Sequence, residues 1–187
     1  DAAIASADKA LAIDSKNNRA LITRVMAKLN RPGADLADAT HDLESYRNLN
    51  PMDNNVRRLL ADAYMRARRP EDATRELEIA LHNFPSDRQV RSTLLDDYRI
   101  AQPPRWTEGD QLVKDAQSID ALMKDPQWLT TEATWLVNRH QWAKAVEKIR
   151  AAMYYAPKEE RYVQTFLSVL LDTKNEATLL RETEPMI

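Results

Sequence analysis

Proline residues close four similar segments of the chain at a nearly regular spacing. The segments LESYRNLNP, LEIALHNFP, IDALMKDP and IRAAMYYAP end at Pro51, Pro85, Pro126 and Pro157, which are 34, 41 and 31 residues apart. A related segment ends at Ser15, 36 residues before Pro51. A period near 34 residues is typical of a solenoid, in which each repeat packs only on its neighbours. The spacing therefore predicts stacked repeats rather than one closed core.

The composition favours α-helices within each repeat. The 187 residues include only two glycines, Gly33 and Gly109, which are too few for a many-stranded sheet or a glycine-rich phosphate loop. No cysteine is present, which excludes disulfides, thiol nucleophiles and cysteine-ligated zinc. The net charge is −2, so we expect no nucleic-acid partner and no polybasic membrane surface. Because no apolar run approaches the ~18 residues of a spanning helix, we expect no direct membrane insertion.

Residues 54–85 contain two helical patterns on either side of Pro70, a residue that suits the first turn of a helix. Apolar and small side chains recur at helical spacing in both: Leu60, Ala61 and Tyr64, then Ala73, Leu77, Ala80 and Leu81, with Pro85 at the end. This order resembles the tetratricopeptide repeat (TPR). The position of Ala61 is usually glycine in that family, and alanine still permits close approach of the helices.

The resemblance implies an all-α fold, a right-handed α-α superhelix of antiparallel helix pairs. It divides residues 1–187 into a lone second helix at 1–15, repeats at 16–51, 52–85, 86–126 and 127–157, and a partial or capping repeat at 158–187. We expect eleven helices, at about 1–14, 18–30, 35–49, 53–67, 70–83, 87–101, 107–124, 128–139, 141–155, 159–173 and 175–184. Residues 1–14 already read as the middle of a pattern, so we expect a fragment of a longer protein.

Two repeats depart from the pattern. Arg24 occupies the place of a first-helix leucine, which leaves a slip of one residue open for that helix. The repeat at 86–126 carries about seven extra residues, which we expect as a loop between Ile100 and Asp110. Trp106 lies in that stretch, where the repeat needs no aromatic side chain. It is either a cover for the lengthened junction or an exposed anchor for a partner.

Catalytic and metal-binding motifs are missing from the sequence. The histidines His41, His82 and His140 lie in different repeats, without HExxH or i, i+4 spacing. Adjacent carboxylates such as Asp96 and Asp97 point about 100° apart on a helix and do not converge. Neither GxSxG nor SxxK occurs. We therefore predict that the chain is not an enzyme and needs no cofactor or metal.

In the TPR family the first helix of each repeat lines the concave surface, where extended peptides or helices bind. Here that surface combines both charge signs with a flexible thioether, which favours selectivity. Asp62 and Asp96 stand where the chaperone-tail class has asparagines, and they would repel a terminal carboxylate. Ordinary solvated side chains are the alternative interpretation. The predicted partner-binding residues are Arg58, Asp62, Met65, Ser92, Asp96, Arg99 and Trp106.

Two classes of function remain open. The resemblance most often implies a non-catalytic scaffold that binds a protein or peptide partner. The alternative is a recruitment or regulatory arm of a larger enzyme, or of a bacterial envelope secretion or export assembly. Apolar residues on the end helices would favour end-to-end self-association in either class.

Overall fold

The structure, a computed structural model, describes residues 2–31 and 36–172. These ranges contain eleven α-helices and no strand, which confirms the predicted all-α class. The chain divides into two compact units, Asp1–Pro104 and Arg105–Ile187. The predicted helix at 175–184 lies outside the described residues. Within those residues, no helix has both the length and the apolar character needed to cross a membrane.

The first unit contains six helices, each packed against the next one in the chain. Two of them begin after an aspartate whose side chain accepts hydrogen bonds from the free amides of the first turn: Asp53 from Asn55 and Val56, and Asp87 from Val90. The helices are α1 (Ala2–Ile13), α2 (Asn18–Leu29), α3 (Leu36–Leu49), α4 (Asn54–Arg66), α5 (Pro70–Asn83) and α6 (Arg88–Ile100).

The core of the first unit follows the predicted repeat. Alanines in this core let neighbouring helices approach closely, and leucine and tyrosine side chains fill the space between them. Leu81 is half-buried. The predicted packing residues that are buried are Leu60, Ala61, Tyr64, Ala73, Leu77 and Ala80.

Arg24 faces α3 and forms ion pairs in the place of apolar packing. Its guanidinium lies 2.7 Å from Asp42 of α3 and 3.1 Å from Asp8 of α1. Lys28, one turn later, lies 2.8 Å from the second oxygen of Asp42. A charged cluster thus holds α2 against α3 where other repeats use leucine.

The second unit contains the remaining helices, and its core lies between α9, α10 and α11. Ala133, Ala145, Ile149 and Ala152 are buried, together with Phe166. The helices are α7 (Trp106–Ala116), α8 (Asp120–Met123), α9 (Pro126–Asn138), α10 (Trp142–Tyr155) and α11 (Glu160–Asp172).

The extra residues of the third repeat lie mostly after α7, so the expected loop between Ile100 and Asp110 is wrong for most of them. The connection 101–105 is two residues longer than the three-residue connection 67–69. The connection 117–125 has nine residues, five more than the four of 84–87, and it contains α8. The predicted helix at 107–124 is therefore split. After the end of α7, the hydroxyl of Ser118 donates to the carbonyl of Asp115, 2.7 Å away.

Candidate functional site

The predicted partner-binding residues of the first unit lie along one side of α4 and one side of α6. Arg58, Asp62 and Met65 follow each other at spacings of four and three residues, which place them on one face of α4. Ser92, Asp96 and Arg99 repeat those spacings on α6, each 34 residues later. We call these six residues the α4–α6 face.

Two side chains connect the helices of the α4–α6 face. Arg58 donates a hydrogen bond to the side-chain oxygen of Gln89, one turn before Ser92, and a second of 3.1 Å to Asn55. Asn54 donates to the carbonyl of Ala80 at 3.0 Å and to the carboxylate of Asp87 at 3.2 Å. The starts of α4 and α6 are therefore held side by side.

Three charges of the α4–α6 face, on Asp62, Asp96 and Arg99, are exposed and weakly paired, whereas Arg58 is half-buried. Asp62 lies 2.9 Å from Arg66, and Asp96 lies 3.2 Å from Arg99, each within one helix. Such exposed pairs contribute little stability, so a partner can replace them at low cost. Met65 and Ser92 are half-buried and lie between the charges. This arrangement suits hydrogen bonding and ion pairing, with one apolar contact.

Asp97, a half-buried neighbour of this face, has a strongly raised pKa. Burial, with a smaller contribution from the charge of Asp96, raises the pKa of Asp97 to about 6. Its Oδ2 is buried and has no hydrogen-bond partner among the described residues. Because it follows Asp96 directly, its side chain points about 100° away from the α4–α6 face.

Trp106 begins α7 instead of standing in a loop. It is half-buried, and its ring centroid lies 5.3 Å from that of Trp135. The guanidinium of Arg139 lies 5.3 Å from the centroid of the Trp106 ring on α7. These contacts favour the packing interpretation of Trp106, and its role in partner binding stays a prediction.

Histidines and carboxylates do not form a metal site in the described part of the chain. No group of three or more metal-ligating side chains converges there. The side chains of His41, His82 and His140 are all exposed and lie on different helices or turns.

Sequence reasoning missed a set of polar contacts that repeat every 34 residues. The hydroxyl of Tyr64 donates to Glu44, 2.5 Å away, and Tyr98 donates to Glu78, 3.1 Å away. In both pairs the glutamate precedes the tyrosine by 20 residues, and this equal spacing could have indicated the contacts from the sequence. Arginines show the same period: Arg57 donates to the carbonyl of Pro51, and Arg91 to that of Pro85.

Comparison with known protein families gives no match, and neither does comparison with curated protein sequences. Among solved structures, a thermophilic TPR protein of Thermus thermophilus is similar at a TM-score of 0.64 and 17% identity, over 90% of this chain and 89% of that one. MamA of Desulfovibrio magneticus RS-1 is similar at a TM-score of 0.62 and 12% identity, over 90% of each chain. YrrB, a TPR protein with an unusual peptide-binding site, is similar at a TM-score of 0.57 and 16% identity, over 86% of this chain and 80% of that one. The chain has a TPR fold.

The TPR fold accounts for the neighbouring positions of α4 and α6. Both are first helices of their repeats, and the second helix α5 lies between them in the chain and packs on each. Residues 34 positions apart therefore face the same way and extend one surface from repeat to repeat.

Proposed function

We propose that the chain is a non-catalytic protein-interaction scaffold that binds a partner segment on the α4–α6 face. The hydrogen bond from Arg58 to Gln89 carries this proposal, because it makes the exposed sides of two first helices one continuous surface. The peptide-binding site of YrrB, a protein of the same fold, supports it.

The chemistry of the face indicates an extended segment with both charge signs. Asp62 and Asp96 accept hydrogen bonds from lysine, arginine or backbone amides of the partner, and Arg99 pairs with a carboxylate. Met65 contacts one apolar side chain and adapts to its shape. The exposed charges set orientation and selectivity more than affinity. A bare C-terminal carboxylate is disfavoured, because Asp62 and Asp96 would repel it.

A displayed random peptide library, selected on the full chain, tests the proposal. The selected peptides are then measured on the double variant Arg58→Glu, Asp96→Arg. We expect the dissociation constant to rise by about tenfold or more, as a loss of ~1.4 kcal/mol would produce. Thermal unfolding should stay within ~0.5 kcal/mol per site, because these are surface substitutions.

A matched double variant on the second helix separates this face from a general charge effect. Glu71→Arg with Arg75→Glu reverses the same two signs at exposed positions of α5 and should leave binding unchanged. Undiminished binding to the α4–α6 variant would move the site elsewhere. Failure of every selection would count against the scaffold itself.

A further inference from the structure

A groove in the second unit lies between α7, α8 and α10, with α9 as its floor. Its main cavity has a volume of about 790 Å³, and a second cavity of about 140 Å³ adjoins it. The two share lining from Gln117, Met123, Glu132, Glu147 and Lys148. The main cavity falls within the usual volume of ligand-binding clefts, roughly 300–1,000 Å³.

The two carboxylates at the floor and wall of the groove are already neutralised. Glu132 is 2% exposed, and it accepts from Lys148 at 2.9 Å and from Gln117 at 3.3 Å. Asp110 accepts from Trp135 at 2.9 Å and forms an ion pair with Arg139 at 3.0 Å. Neither carboxylate needs a further partner.

Two lysines remain on opposite walls. Lys114 of α7 and Lys144 of α10 line the main cavity, and neither has a carboxylate at ion-pair distance within the described residues. Lys144 donates to the side chain of Gln141 at 3.0 Å. Glu147 is the one further carboxylate among the lining residues. The groove therefore offers two cations against one anion and favours a negatively charged occupant.

The smaller cavity adds two exposed apolar side chains to the groove. Met123 of α8 and Tyr155 of α10 line the smaller cavity and are 48% and 44% exposed, above the buried Trp128 and Leu129. The repeat pattern does not require Met123, because α8 belongs to the extra residues that follow α7. An exposed thioether beside an exposed phenol ring suits a large apolar side chain.

We propose that this groove binds an acidic peptide segment of a partner protein. Its carboxylates contact Lys114 and Lys144, and one large apolar side chain inserts between Met123 and Tyr155. The volume of about 790 Å³, with lysines and exposed apolar side chains in one groove, favours a peptide over a small anion. This site lies on other helices than the α4–α6 face and is independent of it.

Peptides selected from a displayed random library on the full chain test the inference. Those that bind the groove should contain Asp or Glu beside a large apolar residue. The variant Lys114→Glu, Lys144→Glu should raise their dissociation constant by about tenfold or more. The control Lys9→Glu, Lys158→Glu makes the same charge change at exposed positions outside the groove and should have little effect. Binding should also weaken with added salt.

The apolar side chains of the groove have their own matched pair of variants. Tyr155→Ser should weaken the same peptides by about tenfold, whereas Phe84→Ser, at a 46% exposed ring of the first unit, should not. Peptides that lose affinity only for the Arg58→Glu, Asp96→Arg variant would support the α4–α6 face and overturn the groove. The groove proposal would also be overturned if the selected peptides were not enriched in Asp or Glu. Equal binding of the peptides to the Lys114→Glu, Lys144→Glu variant and to its control would overturn it as well.

Discussion

The ring of Trp135 occupies the space in which a side chain of residue 109 would stand. A Cβ built on Gly109 would lie 2.2 Å from two carbons of that ring. Trp135 has little room to move, because it is buried, donates to Asp110 and packs on Trp106. This contact explains why a glycine is found inside α7, where it costs up to about 1 kcal/mol relative to alanine.

Gly109→Ala should destabilise the protein by about 1–2 kcal/mol. Overpacking of a rigid core costs about 1–3 kcal/mol, and the better helix propensity of alanine offsets part of that cost. Urea unfolding followed by circular dichroism measures the change. Thr107→Ala, at an exposed position of the same helix, is the control and should not destabilise. A gain in stability for Gly109→Ala would contradict the contact with Trp135.

Arg57→Ala should cost about 2–3 kcal/mol. Arg57 is buried, pairs with Glu76 at 2.5 Å and donates to the carbonyl of Pro51. Its removal leaves Glu76, only 5% exposed, with Arg47 as the remaining cation. Removing one partner of a buried ion pair is costly because the other charge stays buried. Denaturant unfolding of the variant and of the unchanged protein measures the difference in the free energy of unfolding.

Two further variants distinguish the effect of breaking the buried Arg57–Glu76 pair from the effect of removing any arginine. Arg75→Ala removes a guanidinium that is 68% exposed, and it should change stability by less than about 0.5 kcal/mol. Arg57→Met with Glu76→Leu replaces the pair by apolar side chains and should recover much of the loss. Equal losses for Arg57→Ala and Arg75→Ala would show that the buried pair is unimportant.

Tyr64→Phe should remove an alkaline loss of stability. Burial and the hydrogen bond to Glu44 raise the pKa of Tyr64 to about 12. The phenol titrates near 10 in the unfolded chain, so between pH 10 and 12 only the folded state retains the proton. The free energy of unfolding is therefore highest below pH 10 and falls as the pH rises towards 12. Unfolding in guanidinium at several alkaline pH values measures this slope.

The slope should decrease in Tyr64→Phe and persist in Tyr154→Phe, which changes an exposed ring. A residual slope is expected, because burial and a hydrogen bond to Asp53 also raise the pKa of Tyr46. At neutral pH the loss of the hydroxyl should cost about 1–2 kcal/mol. An unchanged alkaline slope would mean that Tyr64 titrates like an exposed tyrosine.

The periodic apolar residues predicted the fold because burial alone determines where they lie. Leu77 and Ala80 recur at helical spacing, and packing of that helix face against its neighbours removes them from water. The split of 107–124 could not be predicted in the same way. α7 ends at Ala116, and residues 112–124 around that break contain no glycine or proline that would have indicated it.

The groove of the second unit was hidden from sequence reasoning for a different reason. Glu132 is a charged residue in a core position, and only its contacts with Lys148 and Gln117 make its burial tolerable. A single sequence does not show which lysine will meet which carboxylate. By contrast, the α4–α6 face followed from the repeat, because residues 34 positions apart share one orientation.

The carboxylate of Asp97, beside the α4–α6 face, is poorly accommodated. Its buried Oδ2 accepts no hydrogen bond among the described residues, and Asp96 adds a like charge. The raised pKa of Asp97, about 6, means that the folded state holds a proton that the unfolded chain has released above pH 4. Stability from this group is thus present below pH 4 and is lost as the pH rises through 6.

Asp97→Asn should therefore raise the free energy of unfolding at pH 8 and change it little at pH 4. We expect a gain on the order of 1 kcal/mol or less, because the side chain is only partly removed from water. Urea midpoints at the two pH values measure the difference. Asp62→Asn is the control: it neutralises an exposed carboxylate of the same face and should not stabilise at pH 8. Destabilisation by Asp97→Asn at pH 8 would show that the charged carboxylate has a favourable partner.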